Sequence, residues 1–281
     1  MSDCLIHQVN KISDCGIKLK VLSSESAVKP VDYAHFDDYY LLGFIEQGVC
    51  SVNLDFKEYL CSEGMVLISQ PGQVHQFIRS KDLKAYLLMV DSAFVGNIDK
   101  RILDEYAYSR QVPLRIEKSM RLDLQKLMSV LSGWFDKSDE PLVKGMIRNL
   151  CTALIGMITF ILHEERTVDE VNNRYVEITC AFKELLNEKL SFGKSPSYYA
   201  SLMNLSAVYL NEAVKAVTGQ STSKNIQSEI ILRTKRLLVY STKNIQEIAL
   251  DLGFDDAAYF TRLFTKVVGV SPLAFKKKYL K

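Results

Sequence analysis

A repeat in the last third of the chain constrains the fold more than any other feature of the sequence. Residues Tyr199–Leu205 align with Ile248–Phe254 at an offset of 49. A second block then aligns at an offset of 50, in the pairs Tyr209 with Tyr259, Leu210 with Phe260, Val214 with Phe264, Val217 with Val267, Gly219 with Gly269 and Ser221 with Ser271. Two similar helix-turn-helix units are the simplest account of this pattern.

The second unit carries the local signals of two short helices joined by a tight turn. Asn244 is placed to cap the first helix, with Glu247 three residues later in the capping-box position. Gly253 supplies the turn, because glycine accepts a positive φ most easily. Either Asp255 or Asp256 caps the next helix. The predicted inner faces consist of Ile245, Ile248, Ala249 and Leu252, then Phe260, Leu263, Phe264 and Val267.

The predicted outer side of the second helix suits entry into a DNA groove. The residues off its apolar stripe are Ala257, Ala258, Thr261, Arg262, Thr265 and Lys266. Small side chains let the backbone approach the groove, and Arg262 is suited to reading guanine or holding a phosphate. A plain helical hairpin with a solvated charge is the alternative for one such unit, and two units in tandem argue against it.

The charge distribution also points to a polyanionic partner. Residues 174–281 carry 16 Lys and Arg against 9 Asp and Glu, a balance of +7, whereas residues 1–173 balance to −5. Charge alone fits nucleic acid or a membrane surface. A helix predicted over 223–239 lies between the units, and at 1.5 Å per residue it is a rigid spacer of roughly 25 Å. Recognition helices joined by it would reach successive major-groove turns, which lie about 34 Å apart.

The first ninety-odd residues predict short β-strands. Residues with high β-propensity are concentrated in the segments Tyr39–Ile45, Cys50–Phe56, Met65–Ser69 and Ala85–Val90. Turn-like sequences separate them, namely Glu46-Gln47-Gly48, Ser62-Glu63-Gly64 and Gln70-Pro71-Gly72. Strands at this even spacing indicate a sandwich or a barrel.

Two helices are predicted after these strands. The first carries an apolar stripe at helical spacing, formed by Met120, Leu124, Leu127, Leu131 and Trp134. The second, over about 142–162, is apolar over much of its surface, so it is buried either in its own domain or against a partner subunit. The longest apolar run, Leu150–Leu162, is too short to span a bilayer.

These elements predict an α+β fold with two domains. The first domain, 1–165, has a barrel over about 1–95 and helices over about 98–163. The second, 175–281, is all-α, with two helix-turn-helix units joined by a linker helix. The polar stretch 166–174 is the predicted linker between the domains.

The sequence predicts no metal, cofactor or catalytic centre. The six cysteines show no C-x-x-C spacing, so we interpret them as reduced thiols of a cytoplasmic protein. The four histidines, His7, His35, His75 and His163, contain no His-x-His pair. Gly-x-Ser-x-Gly, phosphate-loop and His-Glu-x-x-His motifs do not occur, which leaves an enzyme as the minor alternative, either a metal-dependent cupin or a hydrolase using Cys or Ser.

The C-terminal pattern resembles the AraC/XylS family of bacterial transcription regulators over about 175–281. The resemblance rests on Ile245-x-x-Ile248-Ala249-x-x-x-Gly253-Phe254-x-x-x-x-Tyr259-Phe260-x-Arg262-x-Phe264-x-x-x-x-Gly269-x-Ser271-Pro272-x-x-Phe275-Lys276. It implies a second recognition helix over Asp256–Val267, with Ala258, Thr261 and Arg262 facing the groove. The DNA-binding residues expected beside them are Asp256 and Lys266, and the phosphate contacts of the basic tail are Lys276, Lys277 and Lys278.

The resemblance implies a first recognition helix over Ser206–Val217, which matches the family pattern less well. Its expected DNA-binding residues are Ser206, Val208, Asn211, Glu212 and Lys215. Asn211 is the expected adenine reader. Glu212 stands where Arg262 stands in the second unit, so it either accepts a hydrogen bond from cytosine or pairs with Lys215 on the same helix.

The first half of the chain resembles the cupin-like effector domain that is common in this family. The matching residues are Glu46-Gln47-Gly48, Gly64–Ile68 and Pro71–Phe77. The resemblance implies an effector pocket lined by His75, Phe77, Phe44 and Tyr86, and Phe77 favours a less polar ligand because it lacks a hydroxyl. It also implies a homodimer through helices at about 119–162. The alternative is a domain that binds no small molecule and acts through protein contact.

The leading interpretation is a cytoplasmic, sequence-specific regulator that binds double-stranded promoter DNA and has no membrane partner. Effector binding or dimerisation would change the DNA affinity by favouring one of two arrangements of the protein.

Overall fold

The computed structural model describes residues 6–7, 16–23, 33–109, 113–135, 137, 140–164 and 173–279. These residues fall into two compact units, one ending at residue 164 and the other beginning at residue 173. Within the described residues, the first unit contains a β-sheet and three α-helices, and the second contains seven α-helices.

One sheet of eight strands forms the framework of the first unit. The strands are β1 (Ile6–His7), β2 (Ile17–Leu22), β3 (His35–Asp37), β4 (Tyr39–Leu54), β5 (Lys57–Ser62), β6 (Met65–Ser69), β7 (Val74–Asp91) and β8 (Leu114–Arg115). Their order is β1-β3-β7-β4-β6-β8, with β2 paired to β7 and β5 paired to β4. The long strands β4 and β7 run antiparallel, and Tyr39 lies opposite Asp91 while Leu54 lies opposite His75.

The strand prediction needs one correction, because β4 is continuous. Tyr39–Ile45 and most of Cys50–Phe56 belong to this one strand. The predicted turn at Glu46-Gln47-Gly48 lies inside it, where the register with β7 shifts and Gly48 has φ +78°. A β-bulge of this kind bends a strand without reversing it, and it uses glycine just as a turn does. The predicted turns at 62–64 and 70–72 do separate strands.

Three helices complete the core of the first unit. They are α1 (Asn97–Ser109), α2 (Lys118–Phe135) and α3 (Pro141–Glu164). Leu42 and Leu88 of the sheet belong to the same buried cluster as Leu124, Met128 and Leu154 of α2 and α3. The sheet and the helices therefore bury one shared apolar core.

Helix α3 is longer than the apolar run from which we predicted that it could not span a bilayer. The run Leu150–Leu162 is part of a helix of 24 residues, which by length and composition alone is sufficient to cross a membrane. Nine of its residues are buried, including Ile147, Leu154 and Ile158, and they pack into the core of the unit. We interpret α3 as a core helix because of this burial.

The cysteines of the described residues are buried thiols. Cys50, Cys61, Cys151 and Cys180 are buried, whereas Cys4 and Cys15 lie outside the described residues. Cys50 and Cys61 lie directly opposite each other on β4 and β5.

Short helices separated by capped turns form the second unit. They are α4 (Asn173–Lys189), α5 (Pro196–Leu202), α6 (Ala207–Thr218), α7 (Thr222–Tyr240), α8 (Ile245–Asp251), α9 (Ala257–Val268) and α10 (Pro272–Tyr279). Helices α5 and α6 form the first helix-turn-helix unit, and α8 and α9 form the second. Helix α7 is the predicted spacer, and its 19 residues make it about 28 Å long.

Candidate nucleic-acid interface

The caps of the two helix-turn-helix units repeat along with their sequence. Ser206 caps α6 by accepting the backbone N–H of Tyr209, and Asp256 caps α9 by accepting that of Ala258. Gly219 and Gly269 end the same two helices, with φ of +72° and +85°. The second helix of each helix-turn-helix unit thus starts at an acceptor side chain and stops at a left-handed residue.

The capping box predicted at the start of α8 is confirmed. The Oδ1 of Asn244 accepts the backbone N–H of Glu247 at 3.0 Å, and the Glu247 carboxylate accepts the N–H of Asn244 at 2.7 Å. Of the two aspartates considered for the next helix, Asp256 is the cap, with Oδ1 2.7 Å from the Ala258 nitrogen.

A chain of aromatic rings holds α9 from its inner side. The ring centroids of Phe254 and Phe260 are 5.1 Å apart, and those of Phe264 and Phe275 are 5.7 Å apart. Phe192, in the loop after α4, stacks on Phe254 at 4.0 Å and donates its N–H to the carbonyl of Leu252. The sequence pattern did not reveal the contribution of Phe192, because that loop is distant in sequence from the unit it stabilises.

The opposite side of α9 is open. Ala258, Arg262 and Lys266 are exposed, and Thr261 is half-buried. The Arg262 side chain is 69% exposed, and its guanidinium lies 3.7 Å from the Asp256 carboxylate, which is itself exposed. An exposed pair of this kind is weak, so Arg262 is available for another partner.

Val267 does not lie on the inner face of α9 as predicted. It is 39% exposed, whereas Phe260 and Phe264 are buried. Val267 lies in the last turn of the helix, beyond Phe264, which is the residue that contacts Phe275 of α10. Ile245 and Leu263, also predicted for the inner faces, are half-buried.

The first helix-turn-helix unit, formed by α5 and α6, presents a different surface. Val208 is 70% exposed, and Glu212 and Lys215 are exposed beside it. Asn211 is half-buried, and its Oδ1 accepts the backbone N–H of Thr222 at 3.0 Å, at the start of α7. A bidentate contact with adenine needs this same oxygen. The structure thus places Asn211 at the joint between α6 and α7, and its role as a base reader stays a prediction.

Asn225 strengthens that joint, and the sequence pattern gave no indication of it. Its amide nitrogen donates to the Thr218 hydroxyl at 3.0 Å and lies within hydrogen-bond distance of the Gln220 and Ser221 carbonyls. Asn225 is buried. A buried amide that is satisfied in this way fixes the direction in which α7 leaves the first unit.

The basic tail falls on α10. Lys277 is exposed, and the Lys276 ammonium donates to the backbone carbonyl of Lys243 at 3.2 Å. Lys235 lies over the Phe275 ring at 5.6 Å. Lys276 is thus partly engaged within the second unit, and Lys277 is the more accessible of the two for a phosphate.

The four residues expected to line an effector pocket do not share one environment. The rings of Phe44 and Tyr86 stack at 6.4 Å within the core that the sheet shares with the helices. Phe77 packs against a separate cluster that includes Cys50 and Cys61. His75 belongs to a buried polar cluster with Asp37, whose carboxylate is 3.2 Å from the imidazole Nε2.

Two family models match the chain. A helix-turn-helix domain matches residues 199–278, and an AraC-like ligand binding domain matches residues 31–157. The first covers both helix-turn-helix units, and the second covers most of the sheet together with α1, α2 and part of α3.

Known proteins support the same assignment. The chain is 33% identical over 79 residues to the MmsAB operon regulatory protein of Pseudomonas aeruginosa, a match that covers 28% of this chain and 26% of that protein. The matched region thus spans about a quarter of that relative. The chain is 23% identical over 256 residues to the HTH-type transcriptional regulator YfiF of Bacillus subtilis, covering 87% of this chain and 79% of YfiF.

A solved structure is similar over most of its length. A crystal structure of ToxT from Vibrio cholerae aligns with 95% of this chain and 98% of its own, at 14% identity and a TM-score of 0.45. The two family models together span both compact units, and the named relatives are transcription regulators rather than enzymes. The chain belongs to the AraC family of helix-turn-helix transcriptional regulators.

Proposed function

We propose that this chain regulates transcription by binding a specific promoter sequence, with α9 as the principal base-reading helix. The observation that carries the proposal is the two-sided character of α9. Its inner side is fixed by buried Phe260 and Phe264, while Ala258 and Arg262 lie exposed on the outer side. A rigid helix with small residues and one exposed guanidinium on its open face has the features of a major-groove reader.

In this proposal the first helix-turn-helix unit, α5 and α6, serves mainly to orient the protein on the DNA. The exposed Glu212 of α6 repels phosphates, and Asn211 is engaged by α7. Lys215 on the same helix offers a phosphate contact, as does Lys277 of α10. Such contacts set register without reading bases. We therefore infer a binding site in which one half-site is read more stringently than the other.

Selection of bound fragments from sheared genomic DNA of the source organism, followed by sequencing, tests the proposal. Wild type should enrich a shared motif with two blocks about one helical turn apart. Arg262→Ala should lose the preference in one block, and Arg262→Lys should not restore it, because lysine cannot make a bidentate contact. Arg79→Ala is the matched control, since Arg79 is exposed in the first unit of the fold.

The salt dependence of DNA binding is a second test of the proposal. Affinity should fall steeply as salt rises, because lysine and arginine contacts release counterions from DNA. Binding that is flat across moderate salt, or the absence of any retained DNA at low salt, would contradict the proposal.

The regulatory part of the proposal concerns the first unit of the fold. We infer that it binds a small-molecule effector, as the matched ligand-binding family suggests, and that it forms a homodimer through α2 and α3 in the cytoplasm. These helices expose large apolar residues, of which Leu142 is 89% exposed, Phe160 52% and Val130 50%. Exposed apolar area of this kind is typical of an interaction surface when it is contiguous.

Two measurements test this regulatory role. Sedimentation of the full chain should show a dimer that Phe160→Glu weakens, while Lys57→Glu, an exposed change on β5, should leave it intact. A thermal-shift screen over sugars, fatty acids and aromatic metabolites should reveal a ligand that raises the melting temperature. A monomer that responds to no ligand would leave regulation by protein contact alone.

A further inference from the structure

We propose that the compact unit that contains the β-sheet holds a divalent first-row transition metal ion between His35, Asp37 and His75. One ligand atom from each of these residues lies within 4.8 Å of the other two. All three side chains are buried, with exposed fractions of 5%, 2% and 9%. The site is distinct from the DNA-binding surface, and the inference does not depend on the proposed function.

The sheet itself brings the three residues together. His35 and Asp37 are two residues apart on β3, so their side chains point to the same face. His35 lies directly opposite His75 in the antiparallel pairing of β3 with β7, and their ring centroids are 4.3 Å apart. Regular strand pairing, rather than a loop, therefore sets the positions of these side chains, which is the kind of support that a precise metal site needs.

Backbone carbonyl groups orient both imidazoles. The Nδ1 of His35 is 3.0 Å from the Tyr33 carbonyl oxygen, and the Nδ1 of His75 is 3.2 Å from that of Gln73. A carbonyl oxygen only accepts, so these contacts favour the tautomer with the proton on Nδ1 and a lone pair on Nε2. The Ser69 hydroxyl also lies 3.4 Å from the Nδ1 of His75. Histidines that bind metals are held in this way, with the non-ligating nitrogen donating to a carbonyl or a carboxylate.

Both Nε2 atoms face one carboxylate. The Nε2 of His75 is 3.2 Å from Oδ2 of Asp37, and the Nε2 of His35 is 3.9 Å from Oδ1. Two lone pairs and a carboxylate in a buried space repel one another unless a positive charge lies among them. Lys20 interacts electrostatically with the Asp37 carboxylate, and a positive charge between the two imidazoles themselves comes from an additional proton or from a metal ion. The phenol of Tyr39 also hydrogen-bonds to the Asp37 side chain.

The distances are compatible with a metal ion held between the three side chains. A metal about 2.0–2.2 Å from each nitrogen and oxygen places its ligand atoms about 3–3.5 Å apart. The contact between His75 and Asp37 already has this length. The contact between His35 and Asp37 needs a shortening of about 0.5 Å to reach it.

The ligand set selects the class of metal. Two imidazoles and one carboxylate favour zinc, iron(II), cobalt or nickel over calcium and magnesium, which prefer oxygen ligands. Three protein ligands also leave coordination positions for water or a small anion. The His-x-His pattern of the sequence analysis does not detect these three ligands. They form the pattern His35-x-Asp37, with His75 on a strand more than thirty residues away.

Metal titration of the full chain tests the inference. The protein is first treated with a chelator and kept in a phosphine reductant, and then zinc chloride is added in a calorimeter and cobalt(II) in a spectrophotometer. Wild type should bind one equivalent of zinc and develop the visible absorption of cobalt bound to nitrogen and oxygen, without a thiolate-to-cobalt band. Zinc should also raise its melting temperature.

Three variants decide the result. Asp37→Asn preserves shape and removes the charge, and His75→Ala removes one imidazole, so each should weaken binding at least tenfold. His163→Ala is the control, because His163 is exposed at the end of α3, and it should bind as wild type does. Circular dichroism confirms that each variant is folded, and Asp37→Asn keeps the test valid if His75→Ala is not.

Two results would overturn the inference. The first is a folded wild type that binds neither zinc nor cobalt, which would mean that no metal ion occupies the cluster. The second is binding that persists in Asp37→Asn and His75→Ala but disappears in Cys50→Ser, which would place the metal on the Cys50 and Cys61 thiols instead.

Discussion

Asn204 and Gly253 occupy the same turn position in the two helix-turn-helix units and share a left-handed backbone, with φ of +54° and +80°. The residue after each one closes the turn in the same way. Leu205 donates its N–H to the Ala200 carbonyl, and Phe254 donates to the Ala249 carbonyl, both at 2.9 Å. Asparagine and glycine are the residues that most readily adopt this conformation. The 49-residue repeat is therefore a repeat of backbone geometry as well as of sequence.

Replacing Gly253 with alanine should severely destabilise the second helix-turn-helix unit, formed by α8 and α9. The new Cβ would lie 2.1 Å from the Ser191 hydroxyl oxygen and 3.3 Å from the Phe192 nitrogen. We expect a loss of about 3 kcal/mol or more, from the left-handed backbone together with the clash. Urea unfolding of purified protein measures this loss.

Gly269→Ala is the matched control for that change. Gly269 has a similar φ of +85°, but a Cβ there meets nothing within 4 Å. Its cost should be limited to the backbone term, about 1 kcal/mol. Equal losses in the two variants would mean that the Ser191 loop moves aside without cost.

Asn211 should matter for stability rather than for base preference. Asn211→Ala leaves the Thr222 N–H without its acceptor and should lower the unfolding free energy by about 1 kcal/mol. Asn211→Asp keeps an oxygen at the start of α7, where the helix dipole favours negative charge, so it should restore stability. Both variants should enrich the same DNA motif as wild type. A change of base preference in either variant would return Asn211 to the interface.

Glu212→Gln should strengthen DNA binding. An exposed carboxylate on α6 repels phosphates, so its removal should raise affinity several-fold at low salt and have little effect at high salt. Glu188→Gln makes the same charge change on an exposed residue of α4, and it should have a smaller effect. Fluorescence anisotropy with the selected DNA measures both. Weaker, less selective binding by Glu212→Gln would instead assign this residue to cytosine recognition.

The features predicted correctly from sequence are those set by local interactions. The capping box of Asn244 and Glu247 and the turn at Gly253 depend on residues only a few positions apart, and both are found as predicted. The bulge at Gly48 could not be recognised in this way. A Cβ there would lie 2.2 Å from the Asp82 carbonyl oxygen on β7, so the need for glycine arises from strand pairing and not from a turn.

The same distinction, between local interactions and contacts between elements, decides which candidate site residues could be predicted from sequence. Arg262 lies outside the apolar stripe of one helix, and helical periodicity alone predicts its exposure. The engagement of Asn211 depends on where α7 begins, and the approach of His75 to His35 depends on the register between β7 and β3. Periodicity within one element carries no information about either, because both are set by contacts between elements.

A buried phenol on α5 provides a prediction of pH dependence. Burial, with a smaller contribution from Tyr198, raises the pKa of Tyr199 to about 12 from its ordinary value of 10.0. The native state therefore holds this proton longer than the unfolded state does, so its stabilising effect is complete below pH 10 and is lost as the pH rises toward 12. Two pKa units correspond to about 2–3 kcal/mol. Tyr199→Phe should match wild type near neutral pH, since the Tyr199 hydroxyl makes only a 3.4 Å contact with the Lys189 carbonyl. Denaturation at pH 7, 10 and 11 should show wild type losing more stability than the variant, and parallel losses would contradict this role for Tyr199.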